Sequence, residues 1–369
     1  MHLGFLRPLY ETTAPVASVY LDTTRTTESA FKEIELRWRA ARERLAEQGA
    51  DEATLQALDE VAEGEPGVPG PQGEALFAAE GRVLGAFTLS RPPLRDSAVW
   101  WPVAYPLGVV IDRNHQIPYV TVAADREGAD VSAYTAAQHK PEFQRSFSGS
   151  TLHIQKVRVG GWTHKHYQRR SENLWDANAQ EVAKDVEDTA AHVGAEVVFV
   201  GGDERAIGKL RDHLSERVRD ILVEHPGGGR HDPAALASLR EAADGVVDCV
   251  VAETRKRERA EFTTALSRGE GATQGIAAAA EALRRAQVKT LLLAADLGKE
   301  PWIWGSRTDP LEVSVDRESL SDPENAIQAP ASALLLRAAA YTDAEFVELT
   351  DNSAAEGVGA ILRYTTAVR

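Results

Sequence analysis

The sequence is poor in the residues on which secreted, metal-binding and membrane proteins depend. Its single cysteine, Cys249, excludes a disulfide within the chain, and no Cys/His grouping has the spacing of a structural zinc site. Nowhere do about 18 apolar residues run together, and Met1–Tyr10 lacks the apolar core of a secretory signal. We therefore expect a cytoplasmic protein with no membrane partner, no metal and no cofactor.

What the chain does contain is typical of a folded globular protein. Of its 369 residues, 43% are hydrophobic and 26% are charged, so the low hydrophobicity of disordered chains is absent. Because domains usually hold about 100 to 150 residues, this length predicts two or three of them.

Charge is distributed unevenly along the chain. The formal net charge is −15, which argues against a nucleic-acid-binding surface that covers the whole molecule. Between His139 and Arg170, however, seven Lys/Arg residues face one acid, Glu142. The segment thus has a net charge of +6, and the rest of the chain a net charge of −21. This local inversion of charge predicts that an anionic partner binds at the segment.

Hydrophobic periodicity predicts an α/β fold in three parts. The domains are expected at 1–115, 116–229 and 230–369, with the Gly227–Gly229 run as the second linker. Strands are predicted at Val16–Leu21, Ala75–Ala79, Val83–Thr88, Tyr119–Ala124, Ala129–Tyr134, Leu152–Val159, Glu196–Val200, Lys289–Ala294 and Ala360–Tyr364. Helices are predicted over Phe31–Leu45, Ala53–Ala62, Leu174–Val193, Ala234–Leu266, Gly275–Ala286 and Ala331–Ala340.

The candidate site is a loop that runs from Gly160 to Arg170. Two adjacent glycines permit positive φ and an exposed tip. The residues after them combine cations with aromatic rings, and this combination contacts phosphates and stacks on unpaired bases. The candidate RNA-binding residues are Lys156, Arg158, Gly160, Gly161, Trp162, His164, Lys165, His166, Tyr167, Gln168, Arg169 and Arg170.

Three other interpretations of this segment stay open. The Gly160–Gly161 tip is also compatible with a plain surface loop, and the run of cations with a solvated face. On a strand, His164 and His166 would face one way and could bind a metal, but the sequence offers no third ligand.

The order of elements around these glycines resembles that of archaeo-eukaryotic class-one release factors and Pelota. The shared features are a hairpin, a Gly-Gly loop with basic flanks, a long helix, the strand VVFVGG, and a third domain with GIAAAAEALRRAQVKTLLLA. The sequence is most similar to the bacterial, mycobacterial-like homologues, some of which are ribosome hibernation or rescue factors. The resemblance implies a central RNase H-like α/β domain and a C-terminal α/β/α domain similar to a ribosomal protein.

In the release factors, a Gly-Gly-Gln tip reaches the peptidyl-transferase centre. Gly160 and Gly161 correspond to its glycines, but Trp162 replaces the glutamine that positions the hydrolytic water. An indole has one N–H donor and no carbonyl, so it cannot orient that water in the same way. We therefore expect no catalytic residue and no peptide release. Trp162 would instead stack on a base or fold back onto its own domain.

The flanking domains give weaker signals. The Asn-Ile-Lys-Ser loop with which release factors read stop codons is not found in the first domain. By resemblance, the third domain would meet a translational GTPase such as elongation factor Tu, or the ribosomal stalk base. The cations between Arg255 and Arg259 would contribute to that face, although a solvated helix face explains them as well.

Two further patterns have structural explanations. VVFVGGDERAIG places glycines between a strand and a helix, but it matches neither GxxxxGK[ST] nor GxGxxG, so we reject a nucleotide site there. Trp302 and Trp304 are expected to pack inside the fold.

The sequence thus favours a ribosome-associated factor that occupies the A site near the peptidyl-transferase region. It would bind ribosomal RNA and act in hibernation or rescue of idle or stalled ribosomes, without releasing peptide. The alternatives are an enzyme, namely a peptidyl-tRNA hydrolase that uses Gln168 or a nuclease, and an adaptor without an RNA role. A nuclease would need clustered acids for metal ions, and the basic segment contains one acid.

Overall fold

The computed structural model describes residues 1–26, 29–62, 71–125, 128–135, 143–148, 163–227, 233–295, 300–350 and 353–364. The helices are α1 Ala30–Glu47, α2 Glu52–Asp59, α3 Leu107–Asn114, α4 Thr163–Val193, α5 Glu204–His213, α6 Glu216–Asp220, α7 Pro233–Arg268, α8 Ile276–Arg284 and α9 Ala331–Tyr341. Short 3₁₀ helices span Gly4–Tyr10, Arg317–Ser319 and Ala355–Gly357.

Within the described residues, the strands form four sheets. They are β1 Val16–Asp22, β2 Gly73–Ala79, β3 Arg82–Leu89, β4 Ser97–Trp101, β5 Tyr119–Ala124, β6 Gly128–Tyr134, β7 Phe143–Ser148, β8 Val197–Gly202, β9 Leu222–Pro226, β10 Ala272–Gln274, β11 Val288–Ala294, β12 Trp302–Ser306, β13 Val313–Ser314, β14 Ala326–Pro330, β15 Glu345–Leu349 and β16 Val358–Leu362. Sheets and helices alternate along the chain, which confirms the α/β class.

The chain divides into two compact units. Met1–His115 and Glu253–Arg369 form unit 1, and Gln116–Ala252 forms unit 2. One boundary between the units therefore lies within helix α7, between Ala252 and Glu253. The division into domains 1–115, 116–229 and 230–369 stays a prediction.

Unit 1 contains an antiparallel sheet in the order β3-β2-β1-β4. Helices α1 and α2 cover one face of it, where Val19 and Leu21 pack with Leu45 and Leu58. Because side chains alternate along a strand, Tyr20 and its neighbours on β2 point to the opposite face. There the core continues into the 3₁₀ helix Gly4–Tyr10 and helix α3.

The last part of unit 1 holds a second sheet in the order β10-β16-β11-β15, in which β11 and β15 are parallel. Its helix α9 is buried from Ala331 to Ala340. Side chains of this helix and of the Gly4–Tyr10 segment belong to one continuous core, which also contains Phe77. The two ends of the chain thus share a hydrophobic interior, which explains why they fall in one compact unit.

Unit 2 is built on one mixed sheet in the order β7-β6-β5-β8-β9. Strands β5, β6 and β7 are antiparallel neighbours, whereas β8 and β9 run parallel to β5. Helices α4, α5 and α6 pack on one face through residues such as Val186 and Leu210. The first half of α7 covers the other face, where Leu239 and Val247 meet Phe199.

Among the described residues, no helix is long and apolar enough to cross a membrane.

Candidate nucleic-acid interface

The predicted RNA-binding residues fall into two groups in the structure. Lys156, Arg158, Gly160, Gly161 and Trp162 lie outside the described residues. The other seven occupy the first two turns of helix α4: His164, Lys165, His166, Tyr167, Gln168, Arg169 and Arg170.

The expectation that a loop extends to Arg170 was therefore wrong. Helix α4 begins at Thr163, eleven residues before the Leu174 that opens the predicted apolar stripe. The span Thr163–Val193 contains no glycine or proline, and its first turns hold lysine, arginine and glutamine, which are good helix formers. Intrinsic propensity thus favours a helix in this stretch, where no apolar periodicity predicts one.

Because His164 and His166 lie on a helix and not on a strand, the argument for a metal site there no longer holds. His164 and His166 are two positions apart on a helix, and such positions lie about 200° apart around the axis. The facing arrangement that a strand would give does not exist here. Among the described residues, moreover, no group of three or more His, Cys, Asp or Glu side chains is placed to hold a metal ion.

The charge along α4 opposes the helix dipole. A helix N-terminus carries partial positive charge and favours acidic side chains, yet the first turn of α4 has none. Lys165, Arg169 and Arg170 instead add three positive charges within the first eight residues. A cation in the first turn, here Lys165, destabilises the helix by roughly 0.3 to 1 kcal/mol, and the effect falls off beyond that turn. An anion bound there would offset this cost, since free backbone amides at a helix start also attract phosphates.

The C-terminal half of α4 anchors this basic end to unit 2. Val182, Val186 and Ala190 are buried and pack with strand residues of β5 and β6. Burying aliphatic side chains stabilises a helix by roughly 1.5 to 3 kcal/mol for each large one. The basic turns therefore extend from a helix whose position is fixed by its other end.

Ion pairs join α4 to α5 as well. The carboxylate of Asp176 lies 3.2 Å from Nζ of Lys209 and 3.2 Å from Nε2 of His213. The hydrogen bonds from His213 and Lys209 lower the pKa of Asp176 below its ordinary value. Because Asp176 is exposed, water and salt screen these pairs, and they orient α4 more than they stabilise it.

The glycine that ends β8, Gly202, serves the turn into α5 and not a nucleotide. Gly202 has φ +134, and a Cβ there would lie 1.8 Å from the carbonyl oxygen of Ala124. The next residue, Asp203, accepts hydrogen bonds from the backbone N–H groups of Arg205 at 3.1 Å and Ala206 at 3.2 Å. The amides that would bind a phosphate at this helix start are thus occupied by a side chain.

A pocket lies beside this turn. Its lining includes Ala124, Val182, Arg205 and Lys209. Because Lys209 is held by Asp176, one of these two cations is already neutralised within unit 2.

The sequence suggested that the cations between Arg255 and Arg259 on α7 form one exposed face of the helix, and the structure shows that they do not. Arg255 is only 8% exposed, and its Nη1 atom lies 3.4 Å from the carboxylate of Glu348 on β15. Arg259 hydrogen-bonds Oγ1 of Thr350. Only Lys256 and Arg257 are fully exposed. Two members of the band therefore bind within unit 1, which leaves fewer cations for a partner.

The sheet of unit 2 and its long, basic-tipped helix form an α/β unit of the kind expected of a release-factor-like protein. Residues 118–268 match the model of bacterial archaeo-eukaryotic release factor family 2. Residues 118–268 of this chain are thus similar to that family.

Similar proteins span nearly the whole chain. Uncharacterized protein Rv2629 of Mycobacterium tuberculosis strain H37Rv is 29% identical over 379 residues, covering 99% of this chain and 97% of that one. The archaeal translation termination factor aRF1 is 18% identical, with a TM-score of 0.28 and coverage of 97% and 96%. A chain in a model of ribosome-bound archaeal Pelota and ABCE1 is 15% identical, with a TM-score of 0.41 and coverage of 99% and 94%.

Proposed function

We propose that this protein is a cytoplasmic, ribosome-associated factor that binds ribosomal RNA through the basic segment 139–170. It would occupy the A site and act in hibernation or rescue of idle or stalled ribosomes. The observation that carries the proposal is the charge inversion: seven Lys/Arg residues against one acid, in a chain of net charge −15. The release-factor match over residues 118–268 includes the whole of this segment.

The position of the cations supports an RNA ligand. Lys165, Arg169 and Arg170 lie at the start of α4, where they add to the positive end of the helix dipole. Phosphate contacts dominate the affinity of proteins for nucleic acid. A phosphate backbone is therefore the ligand that best offsets this concentration of positive charge.

The proposed factor would not release peptide. Trp162 stands where the release factors have glutamine, and an indole lacks the carbonyl that helps to orient water. The alternative enzyme, a hydrolase that uses Gln168, would place its amide in the second turn of α4. A delivering GTPase such as elongation factor Tu stays part of the proposal, and the basic segment gives no direct support for it.

Removal of the cations tests the RNA contact. We expect that the triple variant Lys165→Ala, Arg169→Ala and Arg170→Ala no longer co-sediments with ribosomes at moderate salt. The matched control is Lys184→Ala, Arg217→Ala and Arg219→Ala, which removes the same charge from exposed positions of unit 2. Equal pelleting of the test triple and the wild type would contradict the proposed interface.

A reconstituted peptide-release assay tests the claim about mechanism. The wild-type protein should leave peptidyl-tRNA intact under conditions in which a release factor hydrolyses it. If peptide is released and Gln168→Ala abolishes the release, the hydrolase alternative is correct.

A further inference from the structure

The small sheet of unit 1 has one buried face and one open face. Its strands run in the order β13-β12-β14. Ile303, Val313 and Ile327 are each at most 4% exposed and point into the core of unit 1. Because side chains alternate across a strand, the neighbours of Ile303 on β12 must point the other way.

Two tryptophans occupy the open face. In the strand register, Trp302 lies opposite Pro330, and Trp304 lies opposite Gln328 and Ser314. Trp302 is the first residue of β12 and is 44% exposed. The expectation that both indoles pack inside the fold therefore fails for Trp302, since a large aromatic surface remains open to solvent.

The exposed indole belongs to a longer aromatic stripe. The rings of Trp302 and Trp101 are 5.2 Å apart, in an edge-to-face arrangement. The ring of Tyr105 also contacts that of Trp101, with the ring centres 5.2 Å apart. At the other end, the guanidinium of Arg317 lies 5.3 Å from the centre of the Trp304 ring. One indole of this face thus already holds an arginine of the same chain in a cation–π contact.

The residues around the open face are strongly acidic. Between residues 300 and 330 the chain has seven acids and two arginines. The acids that are exposed are Asp309, Asp316, Glu318, Asp322 and Glu324. Within the described part of the chain, none of the five lies within 4.0 Å of a cationic side-chain nitrogen. Their negative charge is therefore not neutralised by ion pairs.

We propose that this face, formed by Trp101, Trp302 and Trp304, binds a basic, extended protein segment. A lysine or arginine side chain of the partner would lie on the ring of Trp302, as Arg317 lies on that of Trp304. Further cations of the segment would pair with the exposed carboxylates. The negative surroundings disfavour a nucleic-acid strand, although exposed aromatic rings on a sheet are also typical of RNA-binding surfaces.

The proposal concerns unit 1 and is independent of the basic segment in unit 2. It can be tested on the full chain with a fluorescein-labelled peptide of ten alternating Gly and Arg residues, followed by fluorescence anisotropy at low salt. Trp302→Ala should weaken binding roughly three- to tenfold, since it removes the ring available for a cation–π contact. Phe31→Ala is the matched control, because Phe31 is an aromatic side chain of the same unit with 68% exposure.

A second variant tests the charge without touching the sheet. Glu318→Gln with Glu324→Gln should weaken binding severalfold and reduce its dependence on salt. Circular dichroism and thermal melting of each variant establish that it is folded. Peptide binding that is equal in wild type, Trp302→Ala and the double glutamine variant would overturn the proposal. Binding of a ten-nucleotide oligo(U) RNA in place of the peptide, with the same loss in Trp302→Ala, would also overturn it.

Discussion

The buried carboxylate of Glu348 should contribute strongly to the stability of unit 1. It is 6% exposed on strand β15, and its Oε2 atom lies 2.7 Å from Nε2 of His115. Nη1 of Arg255, which is itself buried, lies 3.4 Å from the same oxygen. Three segments that are distant in sequence, the end of α3, α7 and β15, thus meet at one carboxylate.

Glu348→Gln keeps the shape of this side chain and removes its charge. Breaking a buried ion pair by removal of one partner costs about 3 to 5 kcal/mol, because the remaining charge stays buried. The side chain of His115 is 40% exposed and can be hydrated, whereas that of Arg255 is 10% exposed. We therefore expect a loss of about 3 kcal/mol in the free energy of unfolding, due mainly to Arg255.

Calorimetry of the full-length variant would measure this loss. For a unit of this size, about 3 kcal/mol corresponds to a fall in Tm of roughly 6 to 12 °C in the transition of unit 1. The control is Glu345→Gln on the same strand, since Glu345 is partly exposed and lies 3.8 Å from His2. It should change Tm little. A Glu348→Gln variant that melts like the control would refute the reasoning.

The same carboxylate predicts a dependence of stability on pH. Burial raises the pKa of Glu348, but the hydrogen bond and charge of His115 and the charges of Arg255 and Arg259 outweigh it, so the net shift is downward. A carboxyl group whose pKa is lowered in the folded state stabilises the fold at pH values above its unfolded pKa of about 4.3. This contribution to stability is lost as the pH falls through the folded pKa. The difference in Tm between wild type and Glu348→Gln should therefore shrink below about pH 4.

Two further variants test the turn after β8. Gly202→Ala should destabilise unit 2 by several kcal/mol, since a Cβ would lie 1.8 Å from the backbone oxygen of Ala124 at a φ of +134; an unchanged calorimetric transition would contradict the described turn. Asp203→Ala removes the cap of α5 and should cost about 1 kcal/mol in urea unfolding followed by circular dichroism. A loss much below about 0.5 kcal/mol would show that water replaces the cap.

Local patterns in the sequence predicted much of the fold. The antiparallel pairing of β5 with β6 confirms the predicted hairpin, and Asp125 and Gly128 are hydrogen-bonded to each other where the two strands meet. Helix α1 also ends where Gly49 indicated, with that glycine at φ +94 just beyond the last turn. Both features depend on the backbone preferences of a few neighbouring residues, and the sequence shows these residues directly.

The missed features depend on contacts between distant segments. Strand β4 and helix α3 follow Pro92 and Pro93 and have no long periodic pattern, so tertiary packing decides their structure. The burial of Arg255 requires Glu348, which is 93 residues further along the chain. The open position of Trp302 follows from the register of β12 with β14. No local pattern contains these pairings.

The residue types of the candidate site could be predicted from the sequence, but its secondary structure could not. The sequence predicted Lys165, Arg169 and Arg170 in a loop before a long helix, whereas the helix begins at Thr163 and includes them. The apolar stripe from which the helix was predicted begins only at Leu174, whereas the helix begins at Thr163. Hydrophobic periodicity marks where a helix is buried and gives no signal for the part that extends beyond the core.

The most direct test of the central claim is the salt dependence of ribosome binding. If phosphates bind the basic end of α4, the logarithm of the affinity should fall linearly with the logarithm of salt concentration in wild type. The triple variant of Lys165, Arg169 and Arg170 should bind more weakly and with a slope smaller by about 2 to 3, since each lost phosphate contact removes roughly 0.7 to 1. Identical slopes for the two proteins would contradict the proposal that these cations bind ribosomal RNA.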